Sequence, residues 1–210
     1  MVKTKIMVVR HGETEWNIED RCQGHKDSPL TENGIKQAES IALRLAGYNL
    51  SAIYTSDLGR AIQTAEIISE SSNLNIKPDL RLRERNMGIL QGLTDSEMVK
   101  SYPDVCSNLK KLDPDYIVPN GDSIRHSFNK NIECLNEIAR LHPENSVLIV
   151  THGGVLSGFF KYVVGLPLDS PRKFKVWSGS INTFSYDGEG WELLGWGDVS
   201  HLKGITILDE

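Results

Sequence analysis

Cysteine is scarce in this chain: Cys22, Cys106 and Cys134 are the only three in 210 residues. The number is odd and none stand as CxxC, which excludes a disulfide framework as the source of stability. A reduced, cytoplasmic setting is the simple reading. Cys22 lies close to a motif described below, but nothing in the sequence supports a lowered thiol pKa, so inert packing accounts for it better than a redox switch. Long apolar runs are missing too. No stretch can span a bilayer, and Met1-Val2-Lys3 leads into a strand rather than forming a signal peptide. Basic charge is not in excess: 23 Lys and Arg against 28 Asp and Glu give a net charge of −5. That argues against nucleic acid or an anionic membrane as partner. Repeats and low-complexity tracts are absent. What remains is an ordinary globular composition, 39% hydrophobic and 24% charged, long enough for one domain that buries roughly 70% of its unfolded surface.

What is present is one pattern used twice. Ile6-Met7-Val8-Val9 reads as a short buried strand and ends abruptly in Arg10-His11-Gly12. Val147-Leu148-Ile149-Val150 runs likewise into Thr151-His152-Gly153-Gly154. Each copy delivers a histidine at the carboxyl end of an apolar strand, where open α/β sheets bind their ligands.

Around these two points strand and helix signals alternate. Thr31 caps a helix with Ile35, Ala38, Ile41, Ala42 and Leu45 at helical spacing and Gly47 as a stop. Ala52 to Thr55 is a second strand; Ser56-Asp57 then starts a helix with Ala61, Ala65 and Ile68 inside. Ser123 opens a long helix whose inner face is Ile124, Phe128, Ile132, Leu135 and Ile138. A strand over 147–151 and a helix from Val155 to about Val164 follow. Ile181 to Tyr186 and Trp191 to Trp196 flank Asp187-Gly188-Glu189-Gly190 as a hairpin. The polar segment from about Asn86 to Asn120 breaks the rhythm. It reads as an insertion over one face of the sheet that faces the substrate. One α/β sandwich domain on a mostly parallel sheet is expected.

The chemistry this pattern serves is transfer of an anionic group. Phosphoryl oxygens need cationic clamps, and arginine offers planar bidentate geometry. Arg10 closes a fully apolar strand. Arg60 starts the helix after the second strand, although taken alone it reads better as a solvated helix arginine than as a clamp. A neutral imidazole can attack phosphorus if its other ring nitrogen holds its proton against an acceptor. By that criterion His11 and His152 are equivalent. Gly153 and Gly154 open a helix whose first amides are available to an anion, and Thr14 and Thr151 stand near. The leaving alkoxide needs a proton. Glu84 lies between Arg83 and Arg85, but spacing singles it out no more than other carboxylates.

Taken in order, these residues resemble the histidine phosphatase (phosphoglycerate mutase-like) superfamily. Arg10-His11-Gly12-Glu13-Thr14 with Asn17 is similar to its RHG signature. Ser28-Pro29-Leu30-Thr31 with Gly34 and Gln37-Ala38 resembles another of its segments, as does Ser56-Asp57-Leu58 with Arg60 and Gln63-Thr64-Ala65. Leu82, Glu84 and Gly88 resemble its acid segment, Pro119-Asn120-Gly121-Asp122-Ser123 its "P.GES" with Asp for Glu, and Thr151 to Gly154 its "SHGG". Within the superfamily, Arg81 to Gly88 and Gly197 to Leu202 resemble the bacterial probable phosphoglycerate mutase B group. The resemblance implies a three-layer α/β/α fold, His11 as phosphorylated nucleophile, Glu84 as proton donor, and Arg10, Arg60 and His152 holding the phosphoryl group. It places Thr14, Asn17, Gln23, Gly24, Arg85 and Gly153 on the phosphate and substrate side, and implies no metal and no cofactor. His25, His126, His142 and His201 read as surface residues.

The resemblance leaves several activities open. A mutase must shield its phosphohistidine from water, and cofactor-dependent mutases carry a longer basic insertion and an Asn where Gly154 stands here. Those departures favour a phosphatase. Glu84-Arg85 and Leu90-Gln91-Gly92-Leu93 are mutase-like and keep a 2,3-bisphosphoglycerate-dependent phosphoglycerate mutase as the alternative. A catalytically silent phospholigand-binding module is a second alternative, although neither nucleophile nor acid is lost. Zinc on His11, His152 and Glu84 is disfavoured by the crowding of Arg10 and Arg60. The expected partner is a small phosphorylated metabolite, with Lys100, Tyr102, Lys110 and Lys111 of the insertion as candidate contacts and a homodimer left open.

Overall fold

A computed structural model describes residues 3–209. Strand β1 (Thr4–Arg10) lies inside a six-stranded sheet, and the expected Met1-Val2 lead into it falls outside the described residues. On one side β1 pairs in parallel with β4 (Ser146–Thr151), followed by β2 (Leu50–Thr55) and β3 (Ile76–Pro78), all parallel. On the other side β5 (Ile181–Tyr186) and then β6 (Trp191–Asp198) run antiparallel as the expected hairpin.

Strand periodicity divides the core in two. Ile6, Val8, Val147 and Ile149 face Leu135 and Ile138 of α6 (Ile124–Leu141) and Leu156 and Phe159 of α7 (Gly153–Val163). Met7, Val9, Leu148 and Val150 face Ile41 and Leu45 of α2 (Glu32–Leu45) and Ala61, Ala65 and Ile68 of α3 (Gly59–Ser69). A strand covered on both faces must be apolar at every position, which is why β1 and β4 read as unbroken hydrophobic runs. The layers are therefore helices, sheet, helices, as expected.

Helix starts hold two corrections. Thr31 and Ser123 cap α2 and α6 as their sequences require, accepting from the amides of Gly34 at 3.0 Å and His126 at 3.1 Å. Helix α3, however, begins at Gly59 rather than at Ser56-Asp57, and no residue at its own start supplies a side-chain cap. Asp27, from a distant loop, accepts from the Gly59 amide at 2.6 Å and the Arg60 amide at 3.3 Å instead. Helix α7 starts at Gly153, two residues before the expected Val155. The segment 86–120 is not structureless: it carries a 3₁₀ turn (Gly88–Leu90), α4 (Asp95–Ser101) and α5 (Pro103–Leu109). A single helical turn, α1 (Glu15–Ile18), follows the first motif.

Gly12 owes its identity to close approach. A Cβ there would stand 2.5 Å from the carbonyl oxygen of Gly34, so backbone meets backbone where the end of β1 passes the start of α2. The motif is thereby fixed against a helix N-terminus, and Glu13 anchors it with its carboxylate on Thr31 Oγ1 at 2.7 Å and Asn33 Nδ2 at 3.1 Å.

Leu135 is completely buried between α6 and the sheet, whereas Leu141 on the same helix is 61% exposed. Leu135→Ala is expected to cost about 2–5 kcal/mol, and Leu141→Ala under about 0.5 kcal/mol. Urea unfolding of both variants checks the contrast; equal losses would show that α6 is not packed through this face.

Candidate active site

Strand register builds the centre of the site. Parallel pairing sets Arg10 opposite Thr151, so the next residue of each strand, His11 and His152, emerges side by side. Their ring centroids are 5.2 Å apart, edge to face, and both residues are 1% exposed. Thr55 of β2 lies opposite Val150 of β4, which brings Ser56 beside the second histidine.

His11 is oriented by its neighbours. Its Nδ1 lies 2.8 Å from the Gly12 carbonyl oxygen, which can only accept, so the ring proton sits on Nδ1. Nε2 keeps its lone pair and accepts from Arg60 Nε at 3.2 Å. Burial, then the charges of Arg60 and Arg10, hold this imidazole well below its ordinary pKa. His152 is held down in the same way, by burial first and then by Arg60, His11 and Arg10. Both rings are neutral at pH 7, as a nitrogen nucleophile requires.

Arg60, 2% exposed, is the most fully engaged cation of the site. Besides His11 it donates to Gly24 O at 2.8 Å, Lys26 O at 3.0 Å and Asp27 Oδ1 at 2.7 Å. Its helix is thus tied by its second residue to the loop 24–27, and Asp27 serves as both helix cap and counter-ion. Gly24 adopts φ +56°, and a Cβ there would meet Gln91 Oε1 at 2.5 Å and Met87 N at 2.9 Å, so glycine suits both the turn and the packing. Arg10, fully buried, donates to Val176 O at 2.6 Å.

Glu84 arrives from the segment after β3. Its Oε1 accepts from the Arg85 amide at 2.7 Å and its Oε2 from the Gly154 amide at 2.8 Å. The helix amides expected to meet a bound anion are therefore met in part by this internal carboxylate, which suits the positive end of the α7 dipole. A Cβ at Gly154 would overlap the Glu84 carboxylate. Arg83 turns away to a bidentate pair with Asp57. Burial, opposed by the charge of Glu84, lowers the Arg85 guanidinium from its usual value.

A cleft of about 1100 Å³ opens beside this centre, its wall including Arg10, Asn17, Gln23, Gly24, Glu84, Arg85 and Gly153, whereas His11, Arg60 and His152 are buried behind it and are not part of that wall. Thr14 stands behind that wall, fully buried. Its hydroxyl donates to Asn17 Oδ1 at 3.0 Å and accepts from Gln23 Nε2 at 2.9 Å, so it orders two of the wall residues. The insertion lines the cleft through Met87, Thr94, Ser96, Met98 and Leu112. Lys100, Tyr102, Lys110 and Lys111, expected there on composition, are not part of its wall. His25 departs from its surface reading as well: it is partly buried, with Nε2 donating to Glu84 O at 2.8 Å. His142 and His201 are partly buried too, next to Tyr54 Oη at 3.1 Å and Gly179 O at 3.1 Å, while His126 is exposed. Among the described residues no group of three or more His, Cys, Asp or Glu is arranged to hold a metal ion. The contacts of Asp27, His25 and Ser56 at this centre escaped the sequence reading because their partners are 32 to 96 residues away.

Residues 6–199 match the family model of the histidine phosphatase superfamily, branch 1, and the chain belongs to that superfamily. A Proteus mirabilis (strain HI4320) protein called probable phosphoglycerate mutase GpmB is 37% identical over 208 residues, 97% of each chain. The solved structure of Bacillus stearothermophilus YhfR is similar with a TM-score of 0.87 at 36% identity, covering 94% of this chain and 98% of that one. A mycobacterial glucosyl-3-phosphoglycerate phosphatase, solved in complex with VO3, gives a TM-score of 0.78 at 27% identity, covering 92% and 98%. The names divide between mutase and phosphatase.

The depressed imidazoles set a pH dependence, His11 and His152 most strongly, with His25, His142 and His201 also lowered by burial. Below about 6.5, the ordinary histidine pKa, the unfolded chain binds protons that buried His11 and His152 refuse. Stability is therefore complete above that value and is lost as pH falls through it. Unfolding free energies from urea titrations between pH 7.5 and 5 should decline by up to about 1.4 kcal/mol per pH unit per histidine, and His11→Asn should flatten the slope. A decline unchanged in His11→Asn would contradict the neutral assignment.

Proposed function

We propose that this protein is a metal-independent phosphomonoesterase that acts on small phosphorylated metabolites through a phosphohistidine on His11. The observation that carries the reading is the state of His11: buried, neutral, with Nδ1–H on a carbonyl and Nε2 facing a guanidinium. Nothing in that environment calls for a basic imidazole, whereas a nucleophile toward phosphorus needs this lone pair.

The phosphoryl group enters from the cleft with Arg10 and Arg60 neutralising its oxygens. Arg60 Nε–H passes from His11 Nε2 to a phosphoryl oxygen, which frees the lone pair as the electrophile arrives. Nε2 then forms a bond to phosphorus while the ester P–O bond breaks, and the departing oxygen takes a proton from Glu84. For the second step a water attacks phosphorus, gives its proton to Glu84, and the P–N bond breaks to release inorganic phosphate and restore His11. Two guanidiniums beside the imidazoles supply the positive charge that a metal provides elsewhere. The insertion 86–120 borders the same cleft and supports a role in choosing the substrate. His11, Arg10, Arg60, His152 and Glu84 are the catalytic set; Thr14, Asn17, Gln23, Gly24, Arg85 and Gly153 arrange or contact the substrate side.

Hydrolysis is favoured over isomerisation by Gly154. By the family resemblance the cofactor-dependent mutases carry Asn at that place, and here even a Cβ would displace the Glu84 carboxylate. A 2,3-bisphosphoglycerate-dependent mutase is the second reading, favoured by the name of the Proteus mirabilis relative.

Labelled phosphomonoester should leave acid-labile, base-stable label on the enzyme, abolished by His11→Ala, with activity indifferent to EDTA. Label surviving in His11→Ala sinks the assignment, and loss of activity on chelation restored by zinc or magnesium sinks the metal-free reading. In a screen that includes 3-phosphoglycerate with 2,3-bisphosphoglycerate, phosphate release should outrun isomerisation; a mutase rate far above the best hydrolysis rate selects the second reading.

The acid is tested by the leaving group. Glu84→Gln should slow phosphorylation of His11 by an alkyl phosphate about a hundred- to ten-thousand-fold. p-Nitrophenyl phosphate should lose much less, because nitrophenolate leaves without a proton. Equal single-turnover losses on both substrates would make Glu84 positional only.

A further inference from the structure

Ser56, read from the sequence only as a helix start and part of a family segment, has no place in the mechanism above, yet it is fully buried and lies against the second imidazole. It is the first residue beyond β2, fixed by its amide to Val150 O at 2.9 Å. Its Oγ has two neighbours. The Leu58 amide, at 3.3 Å, can only donate to it. His152 Nε2 is 2.8 Å away. A hydroxyl carries a single proton and two lone pairs. The amide takes one lone pair, and among the described residues the hydroxyl proton has no other hydrogen-bond acceptor than His152 Nε2.

We propose that Ser56 is a positioning residue that sets the tautomer of His152. Its hydroxyl donates to Nε2, and the ring proton therefore sits on Nδ1. That nitrogen is buried and has no hydrogen-bond partner among the described residues. A buried donor without an acceptor is costly and rare, and calls for an explanation. With Nε2 committed to Ser56, Nδ1 is the one position through which His152 can bond to an incoming group. As an N–H it attracts a tetrahedral oxyanion; in the other tautomer it would present a lone pair and repel it. One hydroxyl outside the cationic cradle thus decides the sign of the interaction between His152 and the phosphoryl group. The tautomer is independent of the activity, whereas its consequence for anion binding rests on the phosphoryl-transfer reading.

Long-range ¹H–¹⁵N correlation spectra of the ¹⁵N-labelled full chain resolve protonated from unprotonated ring nitrogens, with His152 assigned by comparison with His152→Asn. The expected spectrum shows His152 protonated at Nδ1 and bare at Nε2. Ser56→Ala should move the pair toward tautomer averaging and weaken vanadate binding roughly ten- to a hundred-fold, and Ser56→Thr should restore both. A wild-type His152 protonated at Nε2, or an unchanged tautomer in Ser56→Ala, overturns the proposal. The wild-type spectrum decides the tautomer even where the variants fold poorly. A chain with the expected tautomer that does not bind vanadate keeps the Ser56 assignment and counts against the phosphoryl-transfer reading instead.

Discussion

A buried guanidinium must find an acceptor for nearly every N–H it carries, because none can be left to water. Arg60 meets that requirement with four of its five donors, and each bond fixes something different. One fixes the plane of His11, two draw the carbonyls of Gly24 and Lys26 inward, and one takes the carboxylate that also caps α3. Remove the cation and, of these bonds, only the Asp27 cap on the Gly59 and Arg60 amides still ties the loop to the helix. Remove Asp27 and the helix loses both its cap and its counter-ion. The architecture of the centre follows from satisfying one side chain, with the parallel register of β1 and β4 supplying the two imidazoles around it.

Electrostatic economy governs the rest. Two guanidiniums stand beside two imidazoles in a region closed to solvent, and the cheapest response is for both rings to stay uncharged. Positive charge is thus concentrated on the two guanidiniums, while the two imidazoles remain neutral. In the proposed mechanism such a division would let the centre attract an anion without protonating the nitrogen assigned to attack it.

Much of this was legible in the chain. Strands β1 and β4 announce themselves because double-sided burial leaves no polar position from Ile6 to Val9 or from Val147 to Val150, and the last hairpin because Asp187 to Gly190 can only turn. The histidines follow from those strands. Strand β3 was not legible: Ile76-Lys77-Pro78 is too short to show alternation, and its proline is tolerated by position in the sheet rather than by local preference. The start of α3 was misplaced because its cap lies 32 residues upstream, where no local rule looks. The contacts of His25 and Ser56 were silent for the same reason. The lysines of the insertion were expected at the cleft because their charge suits phosphate; Lys100 on α4 and Lys110 and Lys111 just beyond α5 lie outside its wall, which Thr94, Ser96 and Met98 join instead.

The carboxylate resting on the Gly154 amide has one more consequence. It is a tethered competitor for any anion approaching the start of α7, present at an effective concentration of about millimolar or more however dilute the protein. A ligand gains from that amide only what exceeds the bond it displaces. For an enzyme of the proposed kind this lowers affinity for spent inorganic phosphate, whose departure is helped as the side chain swings back. Turnover would then be assisted by an internal group that reclaims its own place.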